Sequence, residues 1–559
     1  MHYPTWVRRF EKVIFEDTEE QIAKATYRPL ISIVVPCFNT PEKYWDPLLV
    51  SVLNQVYENW ELIVIDGSPN EEIKAVLKET CSIDDRIKYH PQTKNLGISD
   101  NTNKGFDVAK GEFVALLDHD DTLSPFALAE VVLALNANKK LDLIYSDEDK
   151  ISDNGKRRLL PFFKPDWSPD LLTGVNYITH LSVARTSLIK KIGGMRSAYD
   201  GAQDYDYFLR LSEQTDNIHH IPKVLYHWRQ ADGSTSVVPG EKSYADTAGQ
   251  AALKDAARRR KLSAEVVEIA NRPTNYRLKY VLPESQPKVS IIIPFKDKAS
   301  LLKQCVGSIL AKSTYKNFEL ILVSNNSTEK ALFTYLDKLK TDKRCRVFTW
   351  DKPFNYSAVN NYGRSKAKGE YLILLNNDTK VITPEWIEEL IGVASQPHVG
   401  SVGAMLHYPT KQLQHAGVIV GMMGAAAHVF RKLKPDHWTA FGLPAWPRNY
   451  LAVTAACVAV KASKYDEVGG LDERFVIAGQ DVAFGISLHE KGYRNVYWPF
   501  AELTHFENVS VGSYSKAPIN DFNLSMEYYR PYMDGKDPFY NPNLDIMSEI
   551  PILRRSFKK

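Results

Sequence analysis

Short apolar runs punctuate this chain and alternate with amphipathic stretches. Residues 31–35 and 62–65 are almost entirely β-branched or leucine, the signature of strands buried on both faces of a parallel sheet. Residues 44–55, 73–80 and 100–109 carry helical spacing, and 86–90 and 112–117 supply two further strands. Such alternation predicts an α/β domain with a mostly parallel sheet. The same order then returns: strands at 289–293, 320–323, 346–349 and 371–375, with helices at 301–310, 330–339 and 357–367 between them.

The return is a duplication. Ile31-Ser32-Ile33-Val34-Val35-Pro36 matches Val289-Ser290-Ile291-Ile292-Ile293-Pro294, a spacing of 258 (Pro36 to Pro294). Asp66 to Ser324 and Asp120 to Asp378 keep that spacing of 258. A unit this long exceeds solenoid repeats of about 20–50 residues, so each half should fold alone and carry its own site. The expected organisation is a helical lead-in at 1–28, a first domain at 29–250, a linker at 251–287, a second domain at 288–514 and a tail at 515–559. The linker is placed where periodicity fades, around Arg272-Pro273 and 283–287. The tail, dense in Tyr, Pro and Asn, reads as an ordered wrap without its own core.

At 559 residues the chain is too long for one core. Its 70 basic and 67 acidic side chains nearly balance, which argues against a nucleic-acid partner. Five scattered cysteines without a C-x-x-C pair suit reduced thiols in the cytosol. No apolar run approaches the roughly 18 residues of a membrane span. Basic clusters at both ends read as solvated termini, with contact to a membrane surface as the alternative.

Ligands of open α/β sheets bind beyond the carboxyl ends of the strands. That selects 36–40, 66–68 and 118–121 in the first half. No G-x-G-x-x-G follows the first strand, so a dinucleotide site fails its main test. Leu117-Asp118-His119-Asp120-Asp121 runs an apolar strand into three acids. Carboxylates two apart suit Mg²⁺ or Mn²⁺ whose other ligands are phosphate oxygens and water; the alternative is a turn capping the next helix. Downstream, Gly193-Gly194 precedes Gln203-Asp204, and Gly469-Gly470 precedes Gln480-Asp481. Each then runs to a histidine beside an aromatic, His227 in Tyr226-His227-Trp228 and His505 in His505-Phe506. A helix cap and a core histidine explain each piece singly; their recurrence in order in both halves points to function.

These stretches resemble family 2 glycosyltransferases. The resemblance rests on Pro36-Cys37-Phe38-Asn39, Tyr145-Ser146-Asp147-Glu148-Asp149, Phe163-Lys164-Pro165-Asp166-Trp167-Ser168 and Gln203-Asp204-Tyr205-Asp206. In the second half it rests on Asn376-Asn377-Asp378, Leu413-Gln414-His415-Ala416-Gly417, Asn449-Tyr450 and Gln480-Asp481. The chain is similar to bacterial two-domain enzymes of surface-polysaccharide assembly (O-antigen, capsule, rhamnan), and the resemblance implies two tandem GT-A domains. It further implies that Pro36, Asn39, Asp66 and Asp118 bind a nucleotide-sugar, Asp66 reading its base, with Pro294, Ser324 and Asn376 as their second-half counterparts. Asp120 and His227, and Asp378 and His505, would hold metal, Mn²⁺ or Mg²⁺. Asp204 and Asp481 would be the general bases of an inverting hexosyl or rhamnosyl transfer.

The halves differ: Ser324 replaces Asp66, Asn376 replaces Asp118, and Ala483 replaces Asp206. The segment 414–431, with His415 and His428, has no counterpart and is either part of a second acceptor site or a buried glycine-rich core segment. The expected protein is a bifunctional transferase using UDP- or dTDP-sugars on a lipid-linked glycan, cytoplasmic, at the inner membrane face. The rivals are one active half with one degenerate binding half, and a sugar nucleotidyltransferase, which would need a glycine-rich basic loop after the first strand.

Overall fold

The apolar runs form strands with no exposed residue: β1 (Ile31–Cys37) and β2 (Trp60–Asp66) are buried throughout. The computed structural model describes residues 2–230, 241–506 and 518–556. In the first lobe there follow β3 (Ile87–Pro91), β4 (Phe113–Leu116), β5 (Thr122–Leu123), β6 (Leu143–Ser152), β7 (Arg158–Phe162), β8 (Ser182–Arg185) and β9 (Ile218–Gln230). They join in the order β3-β2-β1-β4-β8-β6-β9-β5, with β7 on β6. The pairs among β1 to β4 are parallel, and β8 runs antiparallel to both β4 and β6. The sheet is therefore more mixed than the apolar runs alone predicted.

After a helix, Glu241–Arg259, comes a hairpin of β10 (Ala264–Glu268) and β11 (Tyr276–Tyr280). The segment expected as linker is thus ordered structure: Tyr276 stacks on Tyr205 at 5.4 Å and Leu278 is buried. Apolar side chains there found a surface to cover, which periodicity alone did not reveal.

The second lobe contains β12 (Val289–Phe295), β13 (Phe318–Asn325), β14 (Cys345–Trp350), β15 (Tyr371–Leu375), β16 (Thr379–Val381), β17 (Val399–His407), β18 (Leu413–His415), β19 (Val418–Val420), β20 (Ala426–His428), β21 (Arg448–Tyr450), β22 (Cys457–Lys461) and β23 (Arg494–His505). Its order, β14-β13-β12-β15-β22-β17-β23-β16, is that of the first sheet strand for strand. Register repeats as well, Ile33 facing Leu62 and Ile291 facing Leu320. So does a buried polar knot. Ser32 donates to Glu61 at 2.6 Å and accepts from the Gly111 amide at 2.8 Å; Ser290, Glu319 and Gly369 do the same at 2.7 and 2.8 Å. A Cβ on Gly111 would lie 2.6 Å from the Ser32 amide nitrogen, so each knot needs glycine.

The lobes touch through residues of the recognised stretches. Ser168 donates to the Asn449 side-chain oxygen at 2.9 Å, and Asn449 donates to Asp170 at 2.7 Å. Arg494 approaches the same Asp170 oxygen at 3.1 Å. The tail returns from the second lobe onto the first: the Asp166 amide donates to the Pro538 carbonyl at 2.8 Å, and Asn541 reaches Asp147. All five cysteines are buried and unpaired. Among the described residues no helix is long and apolar enough to cross a membrane.

Candidate active site

Both lobes bring their chemistry to the carboxyl end of the parallel strands. In the first, one cleft is lined by Pro36 of β1, Asp118 after β4, Thr179 and His180 before β8, and Gln203 and Asp204 at the start of the helix Gln203–Leu211. Asp118 and Asp204, separated by 86 positions in sequence (118 to 204), therefore face the same space.

His180 joins them. Its Nε2 lies 3.5 Å from Asp118 Oδ2, its Nδ1 lies 3.3 Å from Glu148 Oε2, and its ring stacks on Tyr226 at 4.5 Å. Burial disfavours its charge, but Asp118 and Glu148 outweigh that and hold the imidazolium well above the usual histidine range. In return, the crowding that would raise Asp118 is overcome by His180, and its carboxyl sits below the usual range. A buried layer fixes this loop. Lys164 donates to the carbonyls of Ile178 and His180, each at 2.6 Å, and Glu148 accepts from Thr179 at 2.6 Å and from the His180 amide at 3.1 Å.

Burial, then the neighbouring Asp118, raise the Asp120 carboxyl. Asp121 is pushed further by burial and by Asp120, and accepts from Tyr226 and from the Arg229 amide, both at 2.6 Å. It is a structural brace for the acidic turn. Asp204 accepts from Asn176 at 2.7 Å and from the Tyr205 amide at 2.8 Å; burial raises its carboxyl, with His180 opposing. Asp66 is buried at the end of β2, where Ser68 and Tyr89 donate to its two oxygens at 2.9 and 2.7 Å. Asn39 is exposed with φ 49° and gives its amide to Ser68 at 2.8 Å.

His227 stands elsewhere than the sequence pattern suggested. Thr122 pairs with His227, and Lys380, 258 positions on from Thr122, pairs with Thr504. The neighbouring ladder agrees: Asp149 faces His227, and His407, again 258 positions on, faces Thr504. Two independent registers therefore match His227 to Thr504, and Trp228 to His505. Strand side chains alternate faces, so the one-residue offset turns His227 to the opposite side. It is hydrogen-bonded there to buried Asp149 at 2.6 Å, which also accepts from Tyr3 at 2.7 Å. Trp228 takes the site-facing position, edge-on to His180 at 5.5 Å. The corresponding ladders match His180 to Ala456, so the duplication offered no pointer to His180.

In the second lobe His505 does meet the acidic turn: its Nε2 lies 3.3 Å from Asp378 Oδ1 and 3.5 Å from Asn376 Nδ2. Tyr356 donates to Asn376 Oδ1 at 3.2 Å and to the Ala455 carbonyl at 3.1 Å. Asp481 accepts from the Ala455 amide at 3.2 Å and from Val482 at 3.0 Å, and burial raises its carboxyl against those donors. Asp481 and Tyr356 thus hold Ala455 by its amide and its carbonyl. Pro294 is buried in β12, and Ser324 at the end of β13 donates to Ser327 at 2.9 Å. In the segment 414–431, buried His415 is hydrogen-bonded to His428 at 2.9 Å. Burial, then His428 and His505 nearby, hold His415 well below the usual range.

Asp118 and Asp120 suit a hard divalent cation as a pair of carboxylates. Among the described residues no three of His, Cys, Asp and Glu are grouped to hold a metal by themselves. A cation in the first lobe would therefore draw its remaining ligands from substrate and water.

The sequence matches the family model for glycosyl transferase family 2 over residues 32–193 and 290–439, once in each lobe. It is 42% identical to the O-antigen biosynthesis protein RfbC of Myxococcus xanthus, over 99% of this chain and 43% of that protein. It is 39% identical to the uncharacterised protein y4gI of Sinorhizobium fredii, over 94% of this chain and 58% of that one. The chain thus spans about half the length of these two relatives. A crystal structure of GalNAc-T7 with UDP, GalNAc and Mn²⁺ aligns over 48% of this chain and 53% of that one, at 17% identity and a TM-score of 0.39, too slight a likeness to bear on function.

Proposed function

The chain belongs to glycosyl transferase family 2, and on that premise we propose that each lobe transfers a sugar from a nucleoside-diphosphate donor, UDP- or dTDP-linked, to a hydroxyl of a growing surface glycan. The observation that carries this reading is the first-lobe cleft, where Asp118, His180 and Asp204 face one space. Asp204 accepts the proton of the acceptor hydroxyl as its oxygen attacks the anomeric carbon, and the diphosphate leaves from the opposite face, so configuration inverts. Burial raises this carboxyl, which makes it a stronger base once ionised. His180, held between Asp118 and Glu148, orients the Asp118 carboxylate toward the donor. Asp118 and Asp120 would hold Mn²⁺ or Mg²⁺, which when bound screens the charge of the leaving group. Asp481 is the corresponding base of the second lobe. The O-antigen relative supports a place in polysaccharide assembly; a lipid-linked acceptor at the inner membrane face is part of the proposal.

The test is a panel of UDP-, dTDP- and GDP-sugars with Mn²⁺ or Mg²⁺, reading released nucleoside diphosphate. Asp204→Asn should abolish one linkage and Asp481→Asn the other. Loss of nothing in either variant would overturn the assignment; loss of a single linkage overall would favour one active and one degenerate lobe.

A further inference from the structure

The first-lobe cleft holds room that the second lobe fills. Its volume is about 60 Å³, well above the roughly 10–15 Å³ that one water needs, so a substituent of a bound sugar can enter it. Val34, Ile98, Leu116, Met195 and Phe208 wall it, beside Asp118 and Asp204. Thr102 and Gln203 also line it, but both already have partners. The Thr102 hydroxyl donates to the Ile98 carbonyl at 2.8 Å, and Gln203 Oε1 accepts from the Gly201 amide at 2.8 Å. Walls of this kind give water few partners and suit a carbon group.

The duplication shows what the second lobe puts in that place. A Cβ on Gly105 would strike Val34, and one on Gly363 would strike Ile292; both steps are 258 positions (105 to 363, 34 to 292). The helices Ile98–Val108 and Tyr356–Lys366 therefore sit alike on their sheets, and Ile98 corresponds to Tyr356. Asp118 corresponds to Asn376, and the ladders that match His180 to Ala456 match Thr179 to Ala455. The Tyr356 hydroxyl lies 3.2 Å from Asn376 Oδ1 and 3.1 Å from the Ala455 carbonyl oxygen. Its ring thus crosses the space that Ile98, Asp118 and Thr179 leave open in the first lobe. Thr102 and Gln203 correspond to Asn360 and Gln480, whose side-chain oxygens are buried without a hydrogen-bond partner. Unmatched acceptors call for donors such as hydroxyls.

We infer that the first lobe selects a donor sugar with a methyl-bearing substituent, seated against Ile98, Met195 and Phe208. The second lobe, its space closed by Tyr356, selects a sugar with a hydroxyl there. The inference rests on the transferase reading above, which puts the donor's sugar between Asp118 and Asp204.

Calorimetric titration of the full chain with matched donors tests it. UDP-N-acetylglucosamine against UDP-glucose, and dTDP-6-deoxyglucose against dTDP-glucose, distinguish the two sources of the methyl. In one pair the methyl-bearing member should bind the first lobe about ten- to two-hundredfold more tightly. Ile98→Tyr should remove that preference while UDP-glucose binding is kept. Tyr356→Ile should add a second binding event for the methyl-bearing donor, a gain that misfolding cannot imitate. No preference in either pair, or a preference that survives Ile98→Tyr, would overturn the inference. Failure of the transferase reading would show separately, as donors that bind without release of nucleoside diphosphate.

Discussion

Asn541, near the end of the chain, donates its side-chain amide to both carboxylate oxygens of Asp147, at 3.0 and 2.8 Å, deep inside the first lobe. Asp147 also accepts from the Lys164 amide at 2.8 Å, and Lys164 holds the loop that presents His180. The last segment of the chain therefore braces the site of the first lobe. Asn541→Ala should leave Asp147 short of a donor and cost about 1–3 kcal/mol, read as a lower urea midpoint. Asn541→Asp should cost more, because it sets two buried carboxylates against each other. An unchanged midpoint in both would dismiss the brace.

His180 and His227 should separate cleanly. Loss of a charged hydrogen bond of about 1.5–3 kcal/mol corresponds to roughly ten- to hundredfold in affinity. His180→Ala should raise the donor KM of the Asp204-dependent linkage by that order. His227→Ala should instead lower thermal stability, since it strips a partner from buried Asp149. Kinetics disturbed mainly by the His227 substitution would reverse the two roles.

Asp204→Asn should lower kcat of the first-lobe linkage by about 10²- to 10⁴-fold. Burial raises the folded Asp204 carboxyl, and the base works only when ionised, so the rate should climb with pH through a pKa above that of a free aspartate and then level off. A profile already flat down to ordinary carboxylate pH would remove Asp204 from the role.

Asp537 makes stability depend on pH. Burial pushes its carboxyl up to about 7, against backbone donation from Val420 and Phe539. In the unfolded chain it ionises near about 3.9. Below that value both states are protonated; above it the unfolded state alone is charged, so stability declines as pH rises and reaches its floor past about 7. Denaturation followed between about pH 4 and 8 should show this fall, a few kcal/mol in size, and Asp537→Asn should flatten it. The same slope in the variant would place the pH dependence in other groups.

Much of the fold was legible because burial on both faces leaves a periodic mark. The runs at 31–35 and 62–65 became β1 and β2, and the helix expected at 330–339 is observed as Lys330–Leu339. The hairpin of β10 and β11 was illegible, since most of its residues are only half covered, and of its two buried residues, Tyr276 and Leu278, Tyr276 stacks on Tyr205 of another element. Asp118, Asp120 and Asp204 could be named in advance because acids at strand and helix ends stand out against apolar neighbours. Glu148 and Lys164 lay within recognised stretches, but nothing local told that they support a histidine loop.

By itself the sequence determined that this protein is one α/β unit built twice, with acids at matching strand ends; duplication and hydrophobic period are properties of the string. Only the tertiary structure decided which histidine meets those acids. Neighbouring side chains on a strand point to opposite faces, so a register offset of one residue, invisible as a near-equal gap, sends His227 away and leaves the place to His180 from another segment.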